Sequence, residues 1–419
     1  MKILAISNLY PPEVIGGYEV QCSEAVDGLR RLGHDVRVLT TVPRRPIAAQ
    51  PESHVLRLLR TPDVYSPERV ALRSPFWEFE SNLLNPDNVY ILLEILQAWE
   101  PDVCYLWNLV AVGGLGILAA LEQVQMPWVW HLGDSIPADL CNFGGELQAL
   151  GAQVAEQMSG RLIVCSRIVM DAVDRVVPIG GRTRMLPNWV LGTAESVERS
   201  YFEGRHLRMV FAGRVAEEKG VFILPEVVAR LVERGHTNLS LEIFGGGDLQ
   251  HLTDLVDEYG VADHVTQHGP IPKAELRQRF RQADVLVFPT GADDAMPMVP
   301  LEAAAEGCVP IIPTVSGISE WLIDGVNCLK ADATADGYVE VVARVLDRKV
   351  ALEEISRRAV RSVHSDFDIQ AVLPAVEREL ILAAAAGTMA PGRSTDVQRL
   401  ALVADAILRR YVMEMYTSL

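Results

Sequence analysis

The stretch Ala283–Pro310, ADVLVFPTGADDAMPMVPLEAAAEGCVP, decides how the rest of the chain is read. Its apolar run Val285–Phe288 predicts a buried parallel strand. A polar loop containing Gly291 and Pro297 follows, and a short helix opens at Pro300 with Glu302 in its first turn. Proline suits the first helical position, because its missing N–H would have had no partner there. Gly307 stands where a helix stop belongs. Such a start gathers open backbone N–H groups beside a loop rich in oxygen acceptors. Amides for a diphosphate and carboxylates for ribose and sugar hydroxyls are what a nucleotide-sugar site needs.

Upstream, the same alternation runs back to Leu207. Strand Arg208–Ala212, helix Val221–Arg234, strand Ser240–Phe244, helix Leu249–Tyr259, strand His264–Gln267, helix Lys273–Gln282 and strand Asp284–Phe288 follow at short loop distances. This predicts a parallel sheet with its own core. The N-terminal half predicts another. Strand Lys2–Ser7, helix Tyr18–Leu32 stopped by Gly33, strand Asp35–Thr40, helix Asn88–Trp99 and strand Asp102–Trp107 lead to short strands at Trp128–Trp130 and Leu162–Cys165. Pro43–Pro86 lacks a clean period and reads as an edge insertion with a short helix or two. A polar linker lies around Val190–His206. The fold class expected is α/β, two doubly wound parallel-sheet, Rossmann-like domains facing each other across a cleft, with ligands at the carboxyl ends of the strands. The boundaries read are 1–195 for the N-terminal domain, 196–370 for the C-terminal one, and 371–419 for a helical segment that rejoins the first. A Gly/Pro break at Gly387–Gly392 precedes a last amphipathic helix, Asp396–Tyr416.

Bulk properties agree with this division. A chain of 419 residues suits two domains of roughly 180–200 residues each. Hydrophobic content of 49% with 22% charged residues is that of a packed globular protein. The net charge of −17 argues against nucleic acid as a partner, because phosphate binding needs basic surface. Six cysteines without a C-x-x-C pair read as buried reduced thiols of a cytosolic protein. Met1 leads straight into a strand without a basic n-region, so no secretory signal is read. The run Leu109–Leu121 is broken by Gly113, Gly114 and Gly116 and is too short to span a bilayer. A cytoplasmic location is expected, with membrane contact at most peripheral. Arg44, Arg45, Arg57, Arg60, Arg69 and Arg73 crowd the segment 44–73, which reads as a solvated insertion or as a surface for anionic membranes.

Phe211–Val221, FAGRVAEEKGV, is the second informative stretch: a strand ends at Gly213, Arg214 and Lys219 follow, and Gly220 opens a helix. Negative charge develops on a nucleoside diphosphate as a glycosidic bond breaks, and two fixed cations can carry it without a metal. Alone, the segment also reads as a solvated loop. The one D-x-D, Asp366 and Asp368, precedes a C-terminal helix and reads as its cap, so no metal and no cofactor are expected.

Together, Asp294…Glu302 and FAGRVAEEKGV resemble the Glu-x7-Glu signature and preceding cation loop of retaining glycosyltransferase family 4, group 1 enzymes of GT-B fold. The resemblance spans roughly residues 1–375 and is strongest between Val210 and Asn327. Two departures stand out. Asp294, eight residues before Glu302, is a methylene shorter than the family's glutamate, and Trp189 in PNWV (Pro187–Val190) replaces a glycine.

The resemblance implies roles residue by residue. Arg214 and Lys219 would hold the leaving diphosphate, Glu302 the ribose hydroxyls, and Asp294 the sugar. Gly213, Gly245 in FGGGD, Thr290, and the backbone of Met296, Pro297, Met298 and Val299 would line the donor. Gly16 and Gly17 would approach donor phosphates or acceptor, though a tight turn before a helix explains them too. His131, in WVWHLGD just after a short strand, would stabilise the transferred sugar. Asp134 would bind an acceptor hydroxyl or simply form a turn. Cys165–Arg167 and Ser316–Glu320 are further matches. The activity implied is retaining, metal-independent transfer of a sugar from a nucleotide-diphosphate sugar to an unidentified hydroxyl acceptor. A GT-B sugar-nucleotide epimerase and a non-catalytic nucleotide-sugar-binding protein are the alternatives.

Overall fold

Strands covered on both faces run apolar without alternation, and in β1 (Lys2–Ile6) the four residues after the exposed Lys2, Ile3 to Ile6, are all buried. The computed structural model describes residues 1–43, 52–61, 79–141, 155–177, 180–202 and 205–387. These fall into two compact units. One comprises Met1–Val164, Val169–Leu186 and the chain from Leu373 on; the other comprises Cys165–Ile168 and Pro187–Val372.

In the first unit, α1 (Gly17–Arg31), β2 (Asp35–Thr41), β3 (Val55–Leu59), α2 (Pro86–Trp99), β4 (Val103–Leu106), α3 (Gly114–Gln123), β5 (Trp128–Leu132), α4 (Ile136–Cys141), β6 (Arg161–Val164), α5 (Arg167–Asp174) and β7 (Thr183–Met185) follow β1. The seven strands form one parallel sheet ordered β3-β2-β1-β4-β5-β6-β7. Helix α2 begins where a cap dictates: the Asn85 side chain accepts from Asn88 N at 3.2 Å, and Pro86 takes the first position.

The edge insertion read over Pro43–Pro86 is corrected. Its VLRLL run is strand β3, paired in parallel with β2 from Val38↔Val55 onward, and Phe79–Leu83 forms a single π turn. Four apolar residues at both parities around Arg57, set among Pro and Arg, give no period to read. Arg44, Arg45, Arg69, Arg73 and the helix Asp396–Tyr416 lie outside the described residues, as does the Gly/Pro break beyond Gly387.

The second unit holds β8 (Leu207–Ala212), α6 (Leu224–Glu233), β9 (Leu239–Phe244), α7 (Leu249–Glu258), β10 (Val265–Gly269), α8 (Lys273–Gln282), β11 (Val285–Val287), α9 (Val299–Ala305), β12 (Val309–Pro313), β13 (Leu329–Ala331), α10 (Ala335–Leu346) and α11 (Leu352–Asp366). Its six strands are parallel in the order β10-β9-β8-β11-β12-β13. The helix read from Val221 opens instead as a 3₁₀ turn, Val221–Ile223, and becomes α-helical at Leu224 with Pro225 in its first turn. Asp366 ends α11, whereas Asp368 caps α12 (Ile369–Gly387) by accepting from Gln370 N at 2.9 Å. From Leu373 onward α12 belongs to the first unit, where Glu377 bonds His34 at 2.7 Å and Glu379 bonds Arg161 at 2.6 Å.

Among the described residues no helix is long and apolar enough to cross a membrane. Cys22, Cys104, Cys165, Cys308 and Cys328 are free and buried, and burial pushes the Cys308 and Cys328 thiols up to about 12.

Candidate active site

Strand order reverses between β8 and β11 in the second unit. Helices leaving two such strands go to opposite faces, which opens a crevice at their carboxyl ends. Both sequence stretches singled out above end there. After β8, Glu217–Lys219 make one 3₁₀ turn closed by Gly220 at φ +65°. A Cβ on Gly220 would run into the Pro289 carbonyl oxygen beyond β11, so only glycine lets the two loops touch. The contact brings Lys219 Nζ to 2.5 Å from Asp294 Oδ2, and the Thr290 hydroxyl donates to the same oxygen at 2.5 Å. Arg214 turns outward and pairs with Glu218 at 3.1 Å.

The 291–298 loop is held by backbone on several sides. Gly291 N donates to Glu218 O at 3.1 Å, and Gly317 N donates to Asp294 O at 2.9 Å. The Asn188 amide donates to Met296 O at 2.8 Å, which fixes the loop just before Pro297, Met298 and Val299. Trp189, next in the chain, is wholly buried. Gly213 N donates to Phe244 O at 3.0 Å, and Gly245 N to Gly269 O at 2.9 Å, so both glycines stand at strand ends around the crevice. Glu302, in the first turn of α9, pairs with Lys273 at 2.8 Å. Cys165–Arg167 and Ser316–Glu320 meet: Arg167 N donates to Glu320 at 2.8 Å, and Trp321 Nε1 to Cys165 O at 2.8 Å.

In the first unit the sheet reverses between β1 and β4. Gly16 and Gly17 follow β1 at the start of α1, where Glu19 accepts from Gly16 N at 2.9 Å and from Ile15 N at 3.3 Å. That carboxylate already satisfies helix-start amides. His131 lies inside β5 rather than after a strand, because the strand runs on to Leu132. Its side chain is 1% exposed, stacks on Trp107 at 4.4 Å between centroids, and bonds the Tyr105 hydroxyl through Nδ1 at 2.7 Å. Burial lowers its pKa to about 3, so the imidazole is neutral. Asp134 accepts from Ile136 N at 3.1 Å at the entry to α4, a turn-forming contact.

Comparison with known proteins now decides the family. The model of glycosyl transferases group 1 matches residues 195–362, and that of a glycosyl transferase 4-like domain matches residues 16–189. The chain belongs to the group 1 glycosyltransferases. Glycogen synthase of Mycobacterium tuberculosis (strain CDC 1551 / Oshkosh) is 27% identical over 420 residues, covering 93% of this glycosyltransferase and 97% of its own chain. Sucrose-phosphate synthase from Thermosynechococcus elongatus superposes with a TM-score of 0.71 at 18% identity, over 92% of this chain and 99% of that one. Anabaena HepE, solved in complex with UDP-glucose, gives 0.64 at 16% identity, over 91% and 100%. The fold of this glycosyltransferase is GT-B, with two parallel-sheet α/β units.

Several residues around the candidate site escape the sequence reading. Lys273, Arg277, Arg281 and Glu306 all sit in stretches quoted above, yet their pairings join α8 to α9. A cation at every fourth position of KAELRQRFR was the available signal. Among the described residues no group of three or more His, Cys, Asp or Glu side chains is gathered to hold a metal.

Proposed function

We propose that this glycosyltransferase is a retaining family 4 enzyme moving a sugar from a nucleotide-diphosphate sugar to a hydroxyl acceptor. The observation that carries the reading is the Lys219 ammonium, fixed by Asp294 and Thr290 at the β8–β11 reversal. An ammonium positioned in advance stabilises charge developing on a leaving phosphate without reorganising at the moment of reaction. Arg214, exposed on the same loop, adds a second cation by leaving Glu218 for the diphosphate. Glu302 accepts from the ribose hydroxyls, and the Met296–Val299 backbone, Gly213 and Gly245 line the donor. HepE, a protein of the same fold, is solved in complex with UDP-glucose, which supports a nucleotide sugar.

In this mechanism the C1–oxygen bond to the diphosphate breaks and the acceptor oxygen bonds C1 from the same face. The acceptor's proton passes to the departing phosphate, so no protein nucleophile is needed, and no metal is assigned. The hydrogen bond between the Tyr105 hydroxyl and His131 Nδ1 holds the neutral imidazole in place, and His131 is assigned to stabilise the transferred sugar. Gly16 and Gly17 are assigned to donor phosphates or acceptor, and Asp134 to the acceptor. The cytoplasm is the assigned location, with segment 44–73 either a solvated insertion or a surface for peripheral contact with anionic membranes. Within its described part, Arg57 bonds the carbonyls of Tyr10 and Pro11 and Arg60 bonds Asp87, so these two cations are already engaged.

The test is a panel of UDP-, GDP- and ADP-sugars with release of nucleoside diphosphate as readout and NMR of the anomeric centre of the product. A retained anomeric configuration, with turnover surviving EDTA, supports the reading. An inverted product overturns it, and so does epimerised donor without transfer.

A further inference from the structure

Helix α8 presents three cations one turn apart, Lys273, Arg277 and Arg281, and α9 with its cap presents Glu302 and Glu306 at the same spacing. Arg277 Nε donates to one oxygen of Glu306, and Arg281 Nε to the other at 2.5 Å. The Glu306 side chain is 1% exposed while Arg277 is 36% and Arg281 61% exposed, so these two rungs are half-solvated guanidiniums covering a buried carboxylate between the helices. The remaining rung lies one turn nearer the start of both helices. There Lys273 Nζ is 2.8 Å from Glu302 Oε1.

Lys273 is badly placed for its own helix. It is the first residue of α8, where the positive end of the helix dipole disfavours a cation. Its service is to Glu302, whose side chain is only 15% exposed. A carboxylate so far from water needs a partner, and a flexible one would have to be ordered on every binding event. Lys273, itself 54% exposed, favours one orientation of the carboxylate from Oε1 while Oε2 and the spare lone pair of Oε1 still accept. Two acceptors side by side fit two vicinal hydroxyls, the feature that separates ribose from 2′-deoxyribose.

We propose that Lys273 is the positioning residue of a ribonucleoside clamp, holding Glu302 so that the site favours ribonucleotides over 2′-deoxyribonucleotides. The proposal rests on the reading above that Glu302 meets the ribose. Lys273 acts through Glu302 and touches neither the diphosphate nor the sugar.

Calorimetric titration tests it, using UDP, GDP and ADP on the wild-type chain, then the 2′-deoxy counterpart of whichever binds. Lys273→Met should weaken the ribonucleotide about tenfold, as expected for one charge-supported hydrogen bond. The 2′-deoxynucleotide, which keeps only its 3′-hydroxyl for Glu302, should be weakened clearly less, and Lys273→Arg should restore most of the loss. Equal weakening of both nucleotides would show plain attraction of the charge for phosphate and overturns the proposal. Tighter binding by Lys273→Met overturns it too, since Lys273 would then compete with ribose for Glu302. Binding of none of the three nucleotides by the wild type would instead sink the donor-site reading beneath it.

Discussion

Lys219 and Asp294, 75 residues apart in the chain, form an ion pair of 2.5 Å that the Thr290 hydroxyl shares. Under the proposed mechanism the Asp294 carboxylate orients the ammonium through this pair in addition to meeting the transferred sugar.

Lys219→Ala should therefore lower kcat about a hundredfold, the loss seen when a preorganised donor to a developing oxyanion is removed. Asp294→Asn keeps the shape and removes the charge partner, so it should cost less, about tenfold. Steady-state kinetics with the accepted donor checks both. Turnover near wild type in Lys219→Ala would remove that residue from the mechanism.

Gly220→Ala probes the junction beneath that pair. The residue sits at φ +65° and faces the Pro289 carbonyl, so an added methyl meets both backbone strain and a clash. Loss of about 2 kcal/mol or more of stability is expected in urea unfolding. Turnover should fall with it, because Lys219 immediately precedes the strained residue. An unaltered urea midpoint would mean that the two loops do not touch.

The clamp on Glu306 makes a different prediction. Removing both cations with Arg277→Ala and Arg281→Ala leaves the carboxylate with no counter-charge. Because both arginines are partly exposed, their truncation also lets water approach Glu306, and a cost of about 1–3 kcal/mol follows. Adding Glu306→Gln to that double variant should return part of it, since the uncompensated charge is then gone. Failure of the triple variant to recover would place the loss in packing and not in charge.

What the chain revealed of itself follows from where the interactions lie. The sequence marks helix α8 at its observed ends, Lys273 and Gln282, because Pro272 precedes it and the apolar strand β11 follows closely. The β8 and β11 loops were read as one site because each carries its chemistry within a few residues. Pairings between distant segments were not legible. Nothing local in KAELRQRFR says that Lys273 faces Glu302 and Arg277 faces Glu306; the parallel packing of two helices decides it. His131 was placed after a strand that in fact continues to Leu132, since Leu132 followed by Gly133 gives no break between 130 and 132. Its burial comes from Trp107 on the adjacent strand's end, a contact across the sheet.

That burial sets a pH dependence whose sign can be worked out. His131 has its pKa lowered by desolvation to about 3 in the folded chain, against an ordinary value of 6.5. Between those values the unfolded chain holds the proton and the folded chain does not. The group's contribution to stability is thus complete above about pH 6.5 and is lost as the pH falls toward 3. From pH 7 to pH 5 the integrated loss is about 2 kcal/mol. Urea unfolding of the wild type and of His131→Asn at both pH values isolates it: the wild type should lose that much more than the variant across the interval. In the folded protein the imidazole Cε1 proton should keep one NMR shift from pH 7.5 to pH 5. A titration near pH 6.5 would mean that water reaches the ring, and the role given to the neutral His131 would fall with it.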